Sequence, residues 1–288
     1  MSISLPDFDS LWDYNQPAET EKKFHDLLPA AETSGDKSYQ AELLTQIART
    51  QGLQGKFAEA HETLDSVETM LMPTLIRAKI RYELERGRVF NSSGEKAKAH
   101  PLFLQAWEDA VQAGEDFYAI DAAHMIAIVE PPERQMEWNL KAVEIAEKTD
   151  DERARNWLGS LYNNIGWTYH DAGQYEEALT TFQKALAYRE QQGKADTIRI
   201  AKWCIGRALR SLNRIDEALR LQRGLLAEMG NQNPDGFVYE ELGECLFIQG
   251  SEDASHYFAL AYEALSHDAY LVENEAARLA RLKTLGGI

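Results

Sequence analysis

The side chains of this sequence that could carry out catalysis are seven histidines, two cysteines and 47 carboxylates. His25, His61, His100, His124, His170, His256 and His267 are dispersed. None completes a His-Glu-x-x-His helix or a Cys/His cluster with zinc-ligand spacing. There is no Gly-rich phosphate loop and no Gly-x-Ser-x-Gly elbow. A pair of carboxylates on so acidic a chain carries no information. Cys204 and Cys245 stand in apolar stretches, where filling a small space in the core is the expected role. The reading is a protein that is not an enzyme and needs no metal or cofactor. Recognition is the chemistry that remains: Arg for carboxylates, Asn for backbone amides, Trp as an apolar anchor.

The bulk numbers narrow the partners. A formal net charge of -17 repels a nucleic-acid backbone and an anionic membrane surface. A protein or peptide partner is therefore expected, with no nucleic acid and no membrane. Hydrophobic residues make up 44% of the chain, enough for a continuous core. Ala, Leu, Glu, Gln, Arg and Lys dominate, as in all-helical proteins. Residues 1–10 contain Asp7 and Asp9 and no basic-then-apolar leader, and no apolar run is long enough to span a bilayer. A reducing, cytoplasmic setting is expected.

The elements that must position the recognition residues repeat along the chain. Small residues at Ala48, Gly87, Gly166, Gly206 and Gly243 are separated by 39, 79, 40 and 37 positions, 79 being two periods. A further repeat is thus expected near Ala123, with Ala127 as the alternative. About twelve residues later come Ala60, Ala99, Ala178, Ala218 and Ala254, and one turn beyond these Leu64, Phe103, Phe182, Gln222 and Phe258. Met136 and Leu140 are expected to fill those slots in the repeat around Ala123. Small residues let two helices approach, and a large residue one turn on fills the space beside them. Gly55, Gly94, Gly173, Asn213 and Gly250 punctuate the pairs with residues that accept a left-handed turn, and Pro131-Pro132 does so in the repeat around Ala123.

Tyr162-Asn163-Asn164-Ile165-Gly166-Trp167-Thr168-Tyr169, followed by Gly173, Ala178, Phe182 and Ala185, resembles a tetratricopeptide repeat (TPR), and the same skeleton covers roughly residues 38–268. The period near 40 and the Asn pair look like the kinesin-light-chain type. The resemblance implies an all-α solenoid, a right-handed superhelix of about six TPR-like helix-turn-helix repeats. Residues 1–37 are read as an irregular start plus a capping helix from Pro17. Residues 269–288 are read as one C-terminal capping helix running to about Thr284, with Gly286-Gly287 fraying.

In that family the first helix of each pair lines a concave face. The implied wall positions follow the small residue (Arg49, Arg88, His124, Trp167, Arg207, Glu244), precede it by a turn (Thr45, Leu84, Ile120, Asn163, Trp203, Glu240), or lie a turn beyond (Gly52, Asn91, Ala127, His170, Arg210, Phe247). From these the expected partner contacts are Arg49, Arg88, Asn163, Asn164, Trp167, His170, Trp203, Arg207 and Arg210. By resemblance, Asn164 is expected to hydrogen-bond a peptide backbone. The alternative for the arginines is pairing with Glu42, Glu85 or Asp171, and for the tryptophans packing between repeats. The expected function is a scaffold or adaptor that binds a peptide or partner segment in its groove. The alternatives are a ligand- or peptide-responsive regulator and a self-associating homodimer.

Overall fold

The computed structural model describes residues 5–230 and 235–288; the first four residues of the expected N-terminal segment, and residues 231–234 of the repeat region, lie outside them. Among the described residues every regular element is a helix. The chain divides between Trp157 and Leu158 into two compact units.

Unit 1 begins with a 3-10 turn, Phe8–Leu11, where irregular chain is expected, and then α1 (Pro17–Ser34), opened by its proline. Three helical pairs follow: α2 (Lys37–Leu53) with α3 (Phe57–Met70), α4 (Ile76–Ser92) with α5 (Lys96–Ala113), and α6 (Asp116–Val129) with α7 (Pro132–Lys148). A single turn of helix, α8 (Glu152–Arg155), is anticipated by no sequence signal and packs on α6 and α7. Successive first helices also touch, α2 on α4 and α4 on α6.

Unit 2 repeats the plan with α9 (Leu158–Asp171) and α10 (Tyr175–Gln192), α11 (Ala195–Ser211) and α12 (Ile215–Met229), α13 (Gly236–Ile248) and α14 (Ala254–Leu265). The expected final helix is two helices, α15 (Ala269–Asn274) and α16 (Ala276–Gly286), broken at Glu275. The break lets α16 bury Leu279 and Leu282 against α14 while Arg278 reaches Glu240 on α13. Gly286 is not frayed: any Cβ there would come within 2.8 Å of the Ala259 backbone.

The repeat columns are packing contacts. A Cβ on Gly87 would lie 2.4 Å from the Phe103 ring, one on Gly166 2.4 Å from Phe182, and one on Gly206 2.3 Å from the Gln222 amide. Where the small residue is Ala48, the facing residue is the smaller Leu64, so the sum of the two volumes is kept. The pair around Ala123 corrects the sequence reading. Leu140 is 49% exposed, and Asn139 is the buried residue sixteen positions after Ala123, the spacing of Gly87 to Phe103. Helix α7 buries Trp138, Asn139, Ala142 and Ala146, and Asn139 supports its side chain by donating to the Gln135 carbonyl at 3.0 Å. Asn213 sits at φ 58, the left-handed turn expected of it.

Candidate functional site

The two wall arginines of unit 1 are taken up by buried carboxylates. Arg49 on α2 donates to both oxygens of Glu85 on α4, at 3.1 and 3.2 Å. Arg88 donates to the same carboxylate at 2.7 Å and pairs with Asp121 on α6. Burial pushes the Asp121 carboxyl up, but Arg88 and Arg49 together hold it below the usual range. The Arg49 guanidinium also lies 5.9 Å from the Trp12 ring and 5.6 Å from Tyr14. The alternative of pairing with Glu85 is what the geometry gives for both arginines. Beside them is a 140 Å³ recess lined by Gly52, Asn91 and Met125 among others.

The column one turn before the small residue is core in this unit, not wall: Thr45, Leu84 and Ile120 are fully buried. Contact between successive first helices covers them. His124 packs against Trp157 at 5.3 Å, and burial pushes its imidazole down despite Asp121. It is neutral near pH 7.

Unit 2 brings aromatic residues together. Trp167 on α9 stands edge-on to Phe182 at 5.3 Å and to His170 at 5.1 Å, and 5.9 Å from Trp203 on α11. Trp203 continues to Phe237 on α13 at 6.0 Å and donates its indole N–H to the Phe237 carbonyl at 3.0 Å. Both tryptophans are half-buried, so part of each ring faces solvent while the rest packs between repeats. Asn163 and Asn164 are half-buried; Asn163 Oδ1 accepts from the Cys204 thiol at 3.3 Å. His170 Nε2 lies 2.9 Å from the Ser211 hydroxyl, and burial lowers its pKa. Burial pushes both thiols, Cys204 and Cys245, up to about 12, which leaves neither as a nucleophile at neutral pH.

Arg210 forms a two-pronged bond to Glu241, Nε to Oε2 at 2.7 Å and an Nη to Oε1 at 2.8 Å. Arg207 meets the same carboxylate at 3.4 Å and remains 31% exposed. Glu240 and Glu244, read as wall positions, are taken by Arg278 and Arg281 of α16. Sequence reasoning missed Glu241 as the shared partner of the two arginines; its position two residues before the small Gly243, as Glu85 stands before Gly87, is the signal that could have found it.

Paired helices recurring around small-residue contacts define an all-α helical-repeat protein of the α-solenoid class. The tetratricopeptide repeat family matches residues 137–191. No curated protein matches the sequence. Among solved structures the fold is similar to a signal transduction ATPase with numerous domains from Pyrococcus horikoshii that carries a tetratricopeptide repeat sensor (TM-score 0.72, 15% identity, 93% of this chain). This chain spans only 42% of that protein. It is also similar to the apo quorum sensor NprR from B. thuringiensis (TM-score 0.63, 15% identity, 94% of this chain and 75% of that one). The complex of NprR with its cognate peptide NprX aligns at TM-score 0.56, with 15% identity over 96% and 82% of the two chains. Among the described residues no helix is long and apolar enough to cross a membrane.

Proposed function

We propose that this is a non-enzymatic protein-interaction module and that the first helices of unit 2 hold a peptide or partner-protein segment. The half-exposed aromatic ladder Trp167–Trp203–Phe237 carries the reading. Its central ring is fixed by a hydrogen bond to backbone, so it offers apolar area with little ordering cost on binding. Arg207, one turn from Trp203, has donors beyond its single contact to Glu241 with which to engage an acidic group. Asn163 and Asn164 lie on the helix that carries Trp167, and the kinesin-light-chain type of repeat would use Asn164 for the partner's backbone. The TPR match at residues 137–191 and the likeness to a sensor solved with its peptide support the same reading.

The test is affinity capture from the native host with the wild-type chain, Trp203→Ala and Arg207→Glu. Both variants are expected to lose a partner that the wild type retains. If both keep every partner, the contact zone is elsewhere.

A further inference from the structure

Residues 5–14 of unit 1 do not simply cap α1; they lie along its first helices as a bound peptide would. Phe8 is 6% exposed and meets Phe24 at 6.3 Å and Tyr39 at 5.1 Å, both edge-on. The Arg81 guanidinium is 5.1 Å from its ring centre. Asp9 accepts from both terminal nitrogens of Arg81, at 3.0 and 2.5 Å, and faces Arg153 of α8 at 3.5 Å. The Tyr39 hydroxyl donates to the Pro6 carbonyl at 2.9 Å, fixing the backbone. Trp12 donates its indole N–H to Gln46 at 3.0 Å and stacks on Tyr14 at 4.6 Å beneath Arg49.

The contacts come from α1, α2, α4 and α8, and a cap on α1 alone would not need those to α2, α4 and α8. Arg81 is 4% exposed and 72 positions from Asp9. Its other partners are Glu42 at 3.3 Å and the Tyr118 hydroxyl at 2.8 Å. Withdrawing Asp9 would leave a buried guanidinium short of one carboxylate, an unfavourable state that another carboxylate in the same place would relieve. A 520 Å³ cleft bounded by Arg77, Asp151 and Arg153 opens beside the segment, so a longer chain has room to continue.

We infer that this face of unit 1 recognises a protein segment in which an aromatic residue is followed directly by Asp in a tight turn, as Phe8-Asp9 are, and that residues 5–14 hold it as an internal competing ligand. The inference rests on the reading of first helices as the recognition wall, but on residues different from those assigned in unit 2. The covalent link presents the internal segment at an effective concentration of roughly millimolar, so a partner of micromolar affinity gains access only when the segment is weakened or released.

The probe is a fluorescein-labelled peptide of residues 5–14, followed by anisotropy against the full chain. Phe8→Ala/Asp9→Asn in the chain is expected to bind the probe at least about tenfold more tightly than wild type, because the competitor is weakened while the site is kept. Adding Arg81→Gln should abolish that binding, and Asp9→Asn within the probe should weaken it. Equal binding by wild type and the double variant, with unchanged helical circular dichroism, overturns the inference. Should the double variant not fold, a protease site is placed at the exposed Asn15-Gln16 of the otherwise wild-type chain. The cut chain is expected to take up the labelled probe and the uncut chain to refuse it; uptake by neither or by both overturns the inference. Trp203→Ala and Arg207→Glu should leave probe uptake unchanged, so failure here and failure of the unit 2 assignment are read separately.

Discussion

Glu85 in unit 1 and Glu241 in unit 2 occupy the same slot of the repeat, two residues before the small residue of a first helix, and two arginines converge on each. Around Glu85 the charges close into a chain, Arg49–Glu85–Arg88–Asp121, that runs through α2, α4 and α6. Around Glu241 both arginines come from α11, Arg210 takes the two-pronged geometry, and Arg207 is left at the rim. The neighbours differ in the same sense. Trp12 and Tyr14 of the chain itself cover Arg49, whereas Trp167 and Trp203 keep part of their rings open near Arg207. An arginine column read from sequence is therefore internal neutralisation first. It becomes a recognition feature only where the repeat leaves one guanidinium incompletely used.

The largest expected effect tests the closed chain. Arg88→Ala strands Asp121 and removes one partner of Glu85, both buried. Breaking a buried pair from one side costs about 3–5 kcal/mol, so urea unfolding should show a loss of that order. A loss below about 1 kcal/mol would mean that the chain of charges is solvated and that the two units do not differ as described.

A buried carboxylate with poorer pairing offers the next contrast. Glu83 on α4 meets Lys79 at 3.4 Å, a cation it shares with the neighbouring Asp109 carboxylate, and its Oε2 is buried without a hydrogen bond. Burial pushes its pKa up to about 7, whereas the two-pronged arginine keeps the more enclosed Glu241, also raised by burial, to about 6. Because the folded value of Glu83 is above the unfolded 4.5, its contribution is fully present below pH 4.5 and is lost as pH rises through about 7. The wild type should therefore lose about 3 kcal/mol between pH 4.5 and 8 that Glu83→Gln does not lose, read as the difference in urea midpoints. Parallel pH profiles for the two proteins would place Glu83 in solvent.

How much of this was legible in the sequence depends on the kind of contact. Gly166 and Phe182 could be paired by eye because the contact is local, recurs at a fixed spacing, and is made by residue types that stand out. Asn139 could not: on α7 an apolar Leu140 looks like the core filler, and only the helix phase set by Trp138, Ala142 and Ala146 turns the asparagine inward. Asp9 to Arg81 was beyond reach, since a 3-10 turn of four residues has no periodicity and its partner is 72 positions away. The same holds for the break at Glu275, set by where Leu279, Leu282 and Arg278 must land. The partner-contact columns were half legible. The repeat register gives which residues share a slot, but burial of Thr45, Leu84 and Ile120 depends on how closely successive first helices approach.

The packing rule behind the columns can be exchanged between units. Gly166→Ala pushes a Cβ to 2.4 Å from the fully buried Phe182 ring, which cannot swing away, and overpacking of this kind costs about 1–3 kcal/mol. Adding Phe182→Leu recreates in unit 2 the Ala48/Leu64 pair of unit 1 and should recover part of the loss in thermal unfolding. If the second change deepens the loss instead, the two pairs are not equivalent solutions to one packing problem.

The smallest expected effect carries the functional contrast. Arg207 makes one 3.4 Å contact to a carboxylate already held twice by Arg210, and a third of its side chain is in water. Exposed pairs contribute about 0–1 kcal/mol, so Arg207→Ala should shift the unfolding midpoint barely, while the corresponding change at Arg88 is severe. A residue that costs little to remove from the folded protein, yet sits one turn from a half-open Trp203, is where stability and recognition part. Loss of a captured partner in Arg207→Ala with unchanged melting would assign the guanidinium to binding. A fall in stability matching that of Arg88→Ala would make it one more neutralising arginine, and the difference between the two units would disappear.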